Sequence, residues 1–227
     1  TTGEMRAEAM MLLSLSDVHL ARGKPEEALH SAYEARFIFQ GAGDVKGQVL
    51  ALHQVGEVQK EFNAAAEMLE SAGDALELLM GFDDPQLQAR IMEIKSHACQ
   101  ISGDAEGALS ATQEGLALSR RAGDKLGEAV ALNNTANSFL MVQDGVERAL
   151  EAASMARDVC KETGDKKEHV AALSEMVCAL INLGRLQTAI EPQHELVVLL
   201  RQCGEVAQAQ AASQSLAELQ AALGGVH

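Results

Sequence analysis

The sequence has no tryptophan, one tyrosine and five phenylalanines, so aromatics make up only 3% of its 227 residues. A β-rich fold leans on bulky and β-branched side chains. This chain offers 38 alanines instead, which favours helices packed closely through small residues. Proline occurs three times, leaving long stretches free of helix breakers. The four cysteines, Cys99, Cys160, Cys178 and Cys203, form no CxxC pair; they fit a reducing, cytoplasmic compartment in which thiols serve as small hydrophobes. No uncharged apolar run reaches the roughly 18 residues of a membrane span, and no basic n-region with an apolar h-region opens the chain. Basic residues are scarce as well. Eighteen Lys and Arg against 33 Asp and Glu give a formal charge of −15, which repels nucleic-acid phosphates and anionic membrane surfaces. What is present, 47% hydrophobic and 22% charged residues, suffices to bury a core. The start at Thr1 suggests a processed or excised piece of a longer protein.

A repeat organises the whole chain. Turn residues followed by an acid recur at Gly43-Asp44, Asp83-Asp84, Gly123-Asp124, Gly164-Asp165 and Gly204-Glu205, with the acids 40, 40, 41 and 40 residues apart. Gly23, Asn63, Gly103, Asp144 and Gly184 form a second series with the same spacings. Two turns per period mean two helices per period. Gly, Asn and Asp tolerate the positive φ at which helices commonly end, and the acid that follows caps the next helix. Asp165-Lys166-Lys167-Glu168 reads as a capping box.

Between turns the spacing is helical. Leu12, Leu15 and His19 are answered by Leu52, Val55 and Gln59, by Met92, Lys95 and Cys99, by Leu132, Thr135 and Phe139, and by Leu173, Met176 and Leu180; offsets of 3 and 7 put each trio on one face. Second helices carry small residues seven apart: Ala28 and Ala35, Ala108 and Gly115, Ala149 and Ala156. Pro25 and Pro85 suit first helical turns, whereas Pro192 predicts a kink. The result is five hairpins over about 4–43, 44–83, 84–123, 124–164 and 165–204 and a capping helix over 205–223. That cap would cover the last hairpin with Val206, Ala209, Leu216, Leu219 and Leu223 and turn Gln208, Gln210, Gln214 and Glu218 to water. Residues 1–227 form one domain on this pattern.

Leu132, Ala136 and Phe139, the small first-helix residues Ser16, Gly56 and Ser96, and the paired second-helix alanines resemble the tetratricopeptide repeat (TPR) superfamily. Val177 departs from the small position. The forty-residue spacing and the run Ala131-Leu132-Asn133-Asn134-Thr135-Ala136-Asn137 resemble its long-repeat branch, seen in kinesin light chain and Pins-type scaffolds. Ankyrin repeats fit neither the period nor the turn; HEAT and armadillo arrays are closer in length and stay open as alternatives, with the seven-residue spacing of small second-helix residues favouring the tetratricopeptide pattern. The resemblance implies an all-α, right-handed α-solenoid of five antiparallel helix-turn-helix repeats plus a C-terminal capping helix. It also implies a concave groove lined by the first helices.

Transferred by register, one ladder of that groove is Leu13, His53, Glu93, Asn133 and Ser174, and a parallel one is Asp17, Glu57, His97, Asn137 and Cys178. Leu50, Arg90 and Val130 flank one side, and Lys60, Gln100 and Leu140 the other. His53, Glu57, Lys60, Arg90, Glu93, His97, Gln100, Asn133 and Asn137 thus form a polar set suited to a peptide, with Asn133 and Asn137 first, because an amide both donates to and accepts from an extended backbone. His53, His97, Glu57 and Glu93 have the chemistry of zinc ligands, but no HExxH or paired CxxC spacing accompanies them, and no metal or other cofactor is expected. No nucleophile elbow or phosphate loop appears. The expected function is a non-enzymatic interaction module or scaffold binding a protein or peptide in the concave groove, with the charge of −15 favouring a basic partner or serving solubility alone. The alternative is a structural spacer or subunit docking through its ends or convex face.

Overall fold

The structure is a computed structural model that describes residues 2–224. Among them are eleven helices: α1 Thr2–Ala21, α2 Pro25–Gly41, α3 Val45–Glu61, α4 Ala65–Leu78, α5 Pro85–Ser102, α6 Ala105–Ala122, α7 Lys125–Leu140, α8 Val146–Thr163, α9 Lys166–Asn182, α10 Leu186–Cys203 and α11 Val206–Gly224. The turns that separate them are the ones the repeat marks. Gly23, Gly43, Gly103, Gly123, Gly164, Gly184 and Gly204 take positive φ, and so do the non-glycines Asn63 and Asp144, at 52° and 62°. Left-handed backbone costs an L-residue about 1–2 kcal/mol, least for Asn and Asp, which accounts for the residue types at these two corners.

The acids after the turns act as caps. Asp44, Asp84, Asp124 and Asp165 accept the N–H groups of Gly47, Leu87, Gly127 and Glu168 at 3.1, 3.2, 2.9 and 2.8 Å. Pro25 and Pro85 each occupy a first helical turn, where their missing N–H costs nothing. Three details differ from expectation. The second hairpin closes early: α4 ends at Leu78 and Gly81, not Asp83, takes the positive φ of 88°, because the residue before Pro85 is steered to extended backbone and Asp84 becomes the cap of α5. The capping box is half formed, since the Glu168 carboxylate accepts a hydrogen bond from Asn133 instead. Val206, the first residue of α11, is 65% exposed, and the buried contacts with the last hairpin come from Ala209, Ala212 and Leu219. Pro192 lies inside α10, where the sequence places it.

The chain divides into two compact units, Thr1–Ala122 and Gly123–His227. In the first, successive helices from α1 to α6 pack in order, and the first helices of neighbouring hairpins also meet, α1 with α3 and α3 with α5; the second helices α2, α4 and α6 have no such contact among the described residues. That asymmetry curves the unit with its first helices on the inner side. In the second unit α7 to α11 pack in order and α7 meets α9. Close approach requires small residues, and Ala28, Ala35, Ala75, Ala108, Ala149, Ala156 and Ala189 are fully buried. Gly56 shows the limit: a Cβ there would meet Ile94 Cγ2 at 2.6 Å. Buried polar residues bridge helices, as when Ser16 donates to the Ala28 carbonyl at 2.9 Å and Ser71 to Gln59 Oε1 at 3.1 Å. Ion pairs between successive hairpins repeat the period: Arg6–Asp44 at 2.8 Å, Arg36–Asp74 at 2.9 Å and Lys46–Asp84 at 2.6 Å.

Candidate functional site

Two surfaces emerge, one in each unit. In the first unit His53, Glu57 and Lys60 lie at i, i+4 and i+7 on α3, and Arg90, Glu93, His97 and Gln100 lie at i, i+3, i+7 and i+10 on α5, so each set shares a helical face. α3 and α5 are in contact, and the two faces meet. His97 Nδ1 is 4.0 Å from Glu57 Oε1, and Lys60 Nζ is 3.9 Å from Glu57 Oε2. Gln100 Nε2 reaches Ser96 Oγ at 3.5 Å. Arg90 is exposed, whereas His53, Glu57, Glu93, His97 and Gln100 are half-buried. Burial pushes the His53 imidazole below its usual range, against the opposing pull of the Glu57 carboxylate. His53 Nε2 and Glu57 Oε1 are covered atoms without a hydrogen-bond partner among the described residues. One ligand atom each from Glu57, Glu93 and His97 lies within 4.8 Å of the other two; His53 stands outside that triplet.

In the second unit the two asparagines part. Asn133 is only 6% exposed. Its Nδ2 donates to the Glu168 carbonyl and to Glu168 Oε2, both at 3.0 Å, so its donors tie α7 to α9, and only a covered Oδ1 is left over. Asn137, one turn on, is exposed. The ladder residues Ser174 and Cys178 are exposed too and line a cleft of about 400 Å³ between α9 and α11. Gln193 and Leu196 of α10, both buried, form its floor, and Gln193 Nε2 is held by the Ala212 carbonyl at 2.8 Å. Ile181, Asn182 and Ser215 complete the rim. Sequence reasoning missed these three, since it treated α11 as a cover for the last hairpin and not as one wall of an opening. Their spacing held a signal: Asn182 and Ile181 follow Cys178 by one helical turn.

Burial raises the thiols of Cys99, Cys160 and Cys178, that of Cys160 to about 11, which keeps them protonated and poor as nucleophiles. Among the described residues no helix is long and apolar enough to cross a membrane.

No protein-family model and no curated protein matches the chain. Solved structures are similar in fold. A Signal Transduction ATPase with Numerous Domains from Pyrococcus horikoshii, which has a tetratricopeptide repeat sensor, gives a TM-score of 0.71 at 18% identity over 97% of this chain and 34% of its own. A putative kinesin light chain from Podospora anserina with nearly identical TPR-like repeats gives 0.67 at 12% identity over 88% of this chain and 98% of its own. A Rap protein complexed with competence and sporulation factor gives 0.66 at 14% identity over 97% of this chain and 66% of its own. The chain thus spans about a third of the first protein and two thirds of the last. Helix order, turn geometry and these likenesses agree: the chain has a TPR-like helical-repeat fold of the all-α solenoid class.

Proposed function

We propose that the chain is a non-enzymatic protein-interaction module that holds a peptide or helical segment of a partner against its first-helix faces. The cleft between α9 and α11 carries this reading. It is a concavity on the ladder that the repeat register assigns to the groove, apolar at Val177, Ile181 and Leu196 and polar at Ser174, Asn182 and Ser215, which is the composition of a site that seats a side chain and orients it by a few hydrogen bonds. The Rap protein of similar fold was solved with competence and sporulation factor bound, a case of such a fold holding a partner. On the first unit the rows His53, Glu57, Lys60 and Arg90, Glu93, His97, Gln100 would offer a first-helix surface of their own, made of polar contacts. On the second, Asn137 takes the role of backbone anchor, and Asn133 supports from beneath through Glu168. The formal charge of −15 favours a basic segment, chiefly through the association rate. The repeat period runs unbroken in sequence through Gly123, which supports treating 1–227 as one binding domain.

The test is a peptide selected from a random library on the chain and titrated against variants. Ile181→Arg and Asn137→Ala should each weaken it, Ile181→Arg by at least about tenfold, the effect of losing a 1.4 kcal/mol contact. Met155→Arg, on the second helix α8 and 41% exposed, should leave it unchanged. The opposite pattern rejects the reading.

A second reading, a subunit docking through its end, draws on α1. Met11, Leu15 and Val18 are 65%, 42% and 44% exposed, while their register equivalents Ala51, Val55 and Val58 on α3 are fully buried. Ala51 there clusters with Ala9, Ala35 and Phe39 of the first hairpin. α1 therefore presents the face that α3 packs against a preceding hairpin. This reading predicts that Leu15→Glu removes the partner and Ile181→Arg does not.

A further inference from the structure

The triplet on α3 and α5 has a chemistry that peptide binding does not use up. Glu93 and His97 are four residues apart on α5 and therefore stacked on one face, and Glu57 comes from α3 on the adjacent helix. Their ligand atoms fall within 4.8 Å of one another, and Glu57 and His97 present theirs at 4.0 Å, too long for a hydrogen bond. Two ligands of a tetrahedral zinc ion, each about 2.1 Å from the metal, sit about 3.4 Å apart, so small side-chain rotations bring all three onto one ion. We infer that Glu57, Glu93 and His97 form a site for a divalent transition-metal ion, with zinc the best match.

Several features support that assignment. Two carboxylates and one imidazole are a zinc donor set, and the nitrogen disfavours calcium and magnesium, which take oxygen ligands. Two carboxylates balance the charge of a divalent ion inside a chain whose own net charge of −15 attracts cations. Glu57 Oε1 is a covered oxygen without a hydrogen bond among the described residues, and a covered, unsatisfied acceptor calls for an ion or water. Lys60, 3.9 Å from the other Glu57 oxygen, competes for that carboxylate and holds the affinity below that of a four-ligand structural site. Three protein ligands leave a fourth position open for water or for a partner's side chain. The inference rests on the geometry of the triplet and not on the peptide reading, because zinc is added alone.

The experiment is a calorimetric titration of the untagged, chelator-treated chain with zinc chloride, alongside Glu57→Gln, His97→Gln and the exposed control His194→Gln. The chain should bind one equivalent; Glu57→Gln and His97→Gln should each lose at least about tenfold in affinity, and His194→Gln should match the parent. Circular dichroism checks that each variant stays helical. NMR of the unaltered chain gives a readout that needs no variant: zinc should shift the His97 imidazole signals before those of the other six histidines. No binding, affinity unchanged by Glu57→Gln and His97→Gln, or zinc reaching other histidines first overturns the site.

Discussion

Asn133 shows how a single side chain changes meaning between register and packing. Its position on a first helix places it on the inner ladder, and its amide has the chemistry of a peptide anchor. In the structure its Nδ2 donates twice to Glu168, once to the carboxylate and once to the carbonyl, and a hydrogen bond to a charged group contributes about 1.5–3 kcal/mol. Asn133→Ala should therefore lower the stability by about 1–3 kcal/mol, read as the midpoint of urea unfolding, while Asn137→Ala should stay within about 0.5 kcal/mol of the parent, as exposed substitutions do. Equal effects would remove Asn133 from its supporting role. The periodicity placed Asn133 on the right helix face, yet nothing in it revealed a partner 35 residues away; cross-helix pairing depends on how two helices rotate against each other. The triplet is the reverse case. Glu57, Glu93 and His97 were legible as ligand chemistry, and only the α3–α5 contact shows that they converge.

Helices here are bounded by local chemistry, which is why their ends were largely readable. Asn63 and Asp144 turn corners that glycine turns elsewhere, and four aspartates cap the helices that follow. The exception, the short α4, arises where two signals overlap: Asp83-Asp84 has the turn-plus-acid form, but Pro85 claims Asp84 for the next helix and the corner moves back to Gly81. Asp84 also links elements. The Lys46 ammonium holds its carboxyl below the usual carboxylate value of 3.8, helped by the Leu87 N–H. A carboxyl depressed in the folded state contributes stability that is complete above its ordinary value and is lost as pH falls through the depressed one. Acid unfolding should thus steepen below about pH 4, and Lys46→Met should flatten that limb. Lys46 is 60% exposed, so the difference should stay below about 1 kcal/mol. An identical acid limb in Lys46→Met would show that the pair does not couple the hairpins.

On the scale of the molecule, repetition does two things. It stacks hairpins through alanines that hold no information about ligands, and it leaves each first helix with one face that the stacking does not need. On α3 and α5 that face is charged, and beside α9 it opens into a cleft; on α1 it is a different face, the stacking face of Met11, Leu15 and Val18, that is apolar and exposed. The period made the fold legible across the chain, because five copies of two turns leave few alternatives. Function was legible only as a face, since the cleft depends on where α11 comes to rest and the composition of α11 does not state it. The proposed role requires that partners meet the first helices. Hydrogen exchange of the chain with and without a library-selected peptide measures it directly. Slower exchange is expected in the first helices, above all in α9 with the 174–182 wall of the cleft, with α2, α4 and α8 unchanged; protection confined to those second helices, or to α1, would reject it.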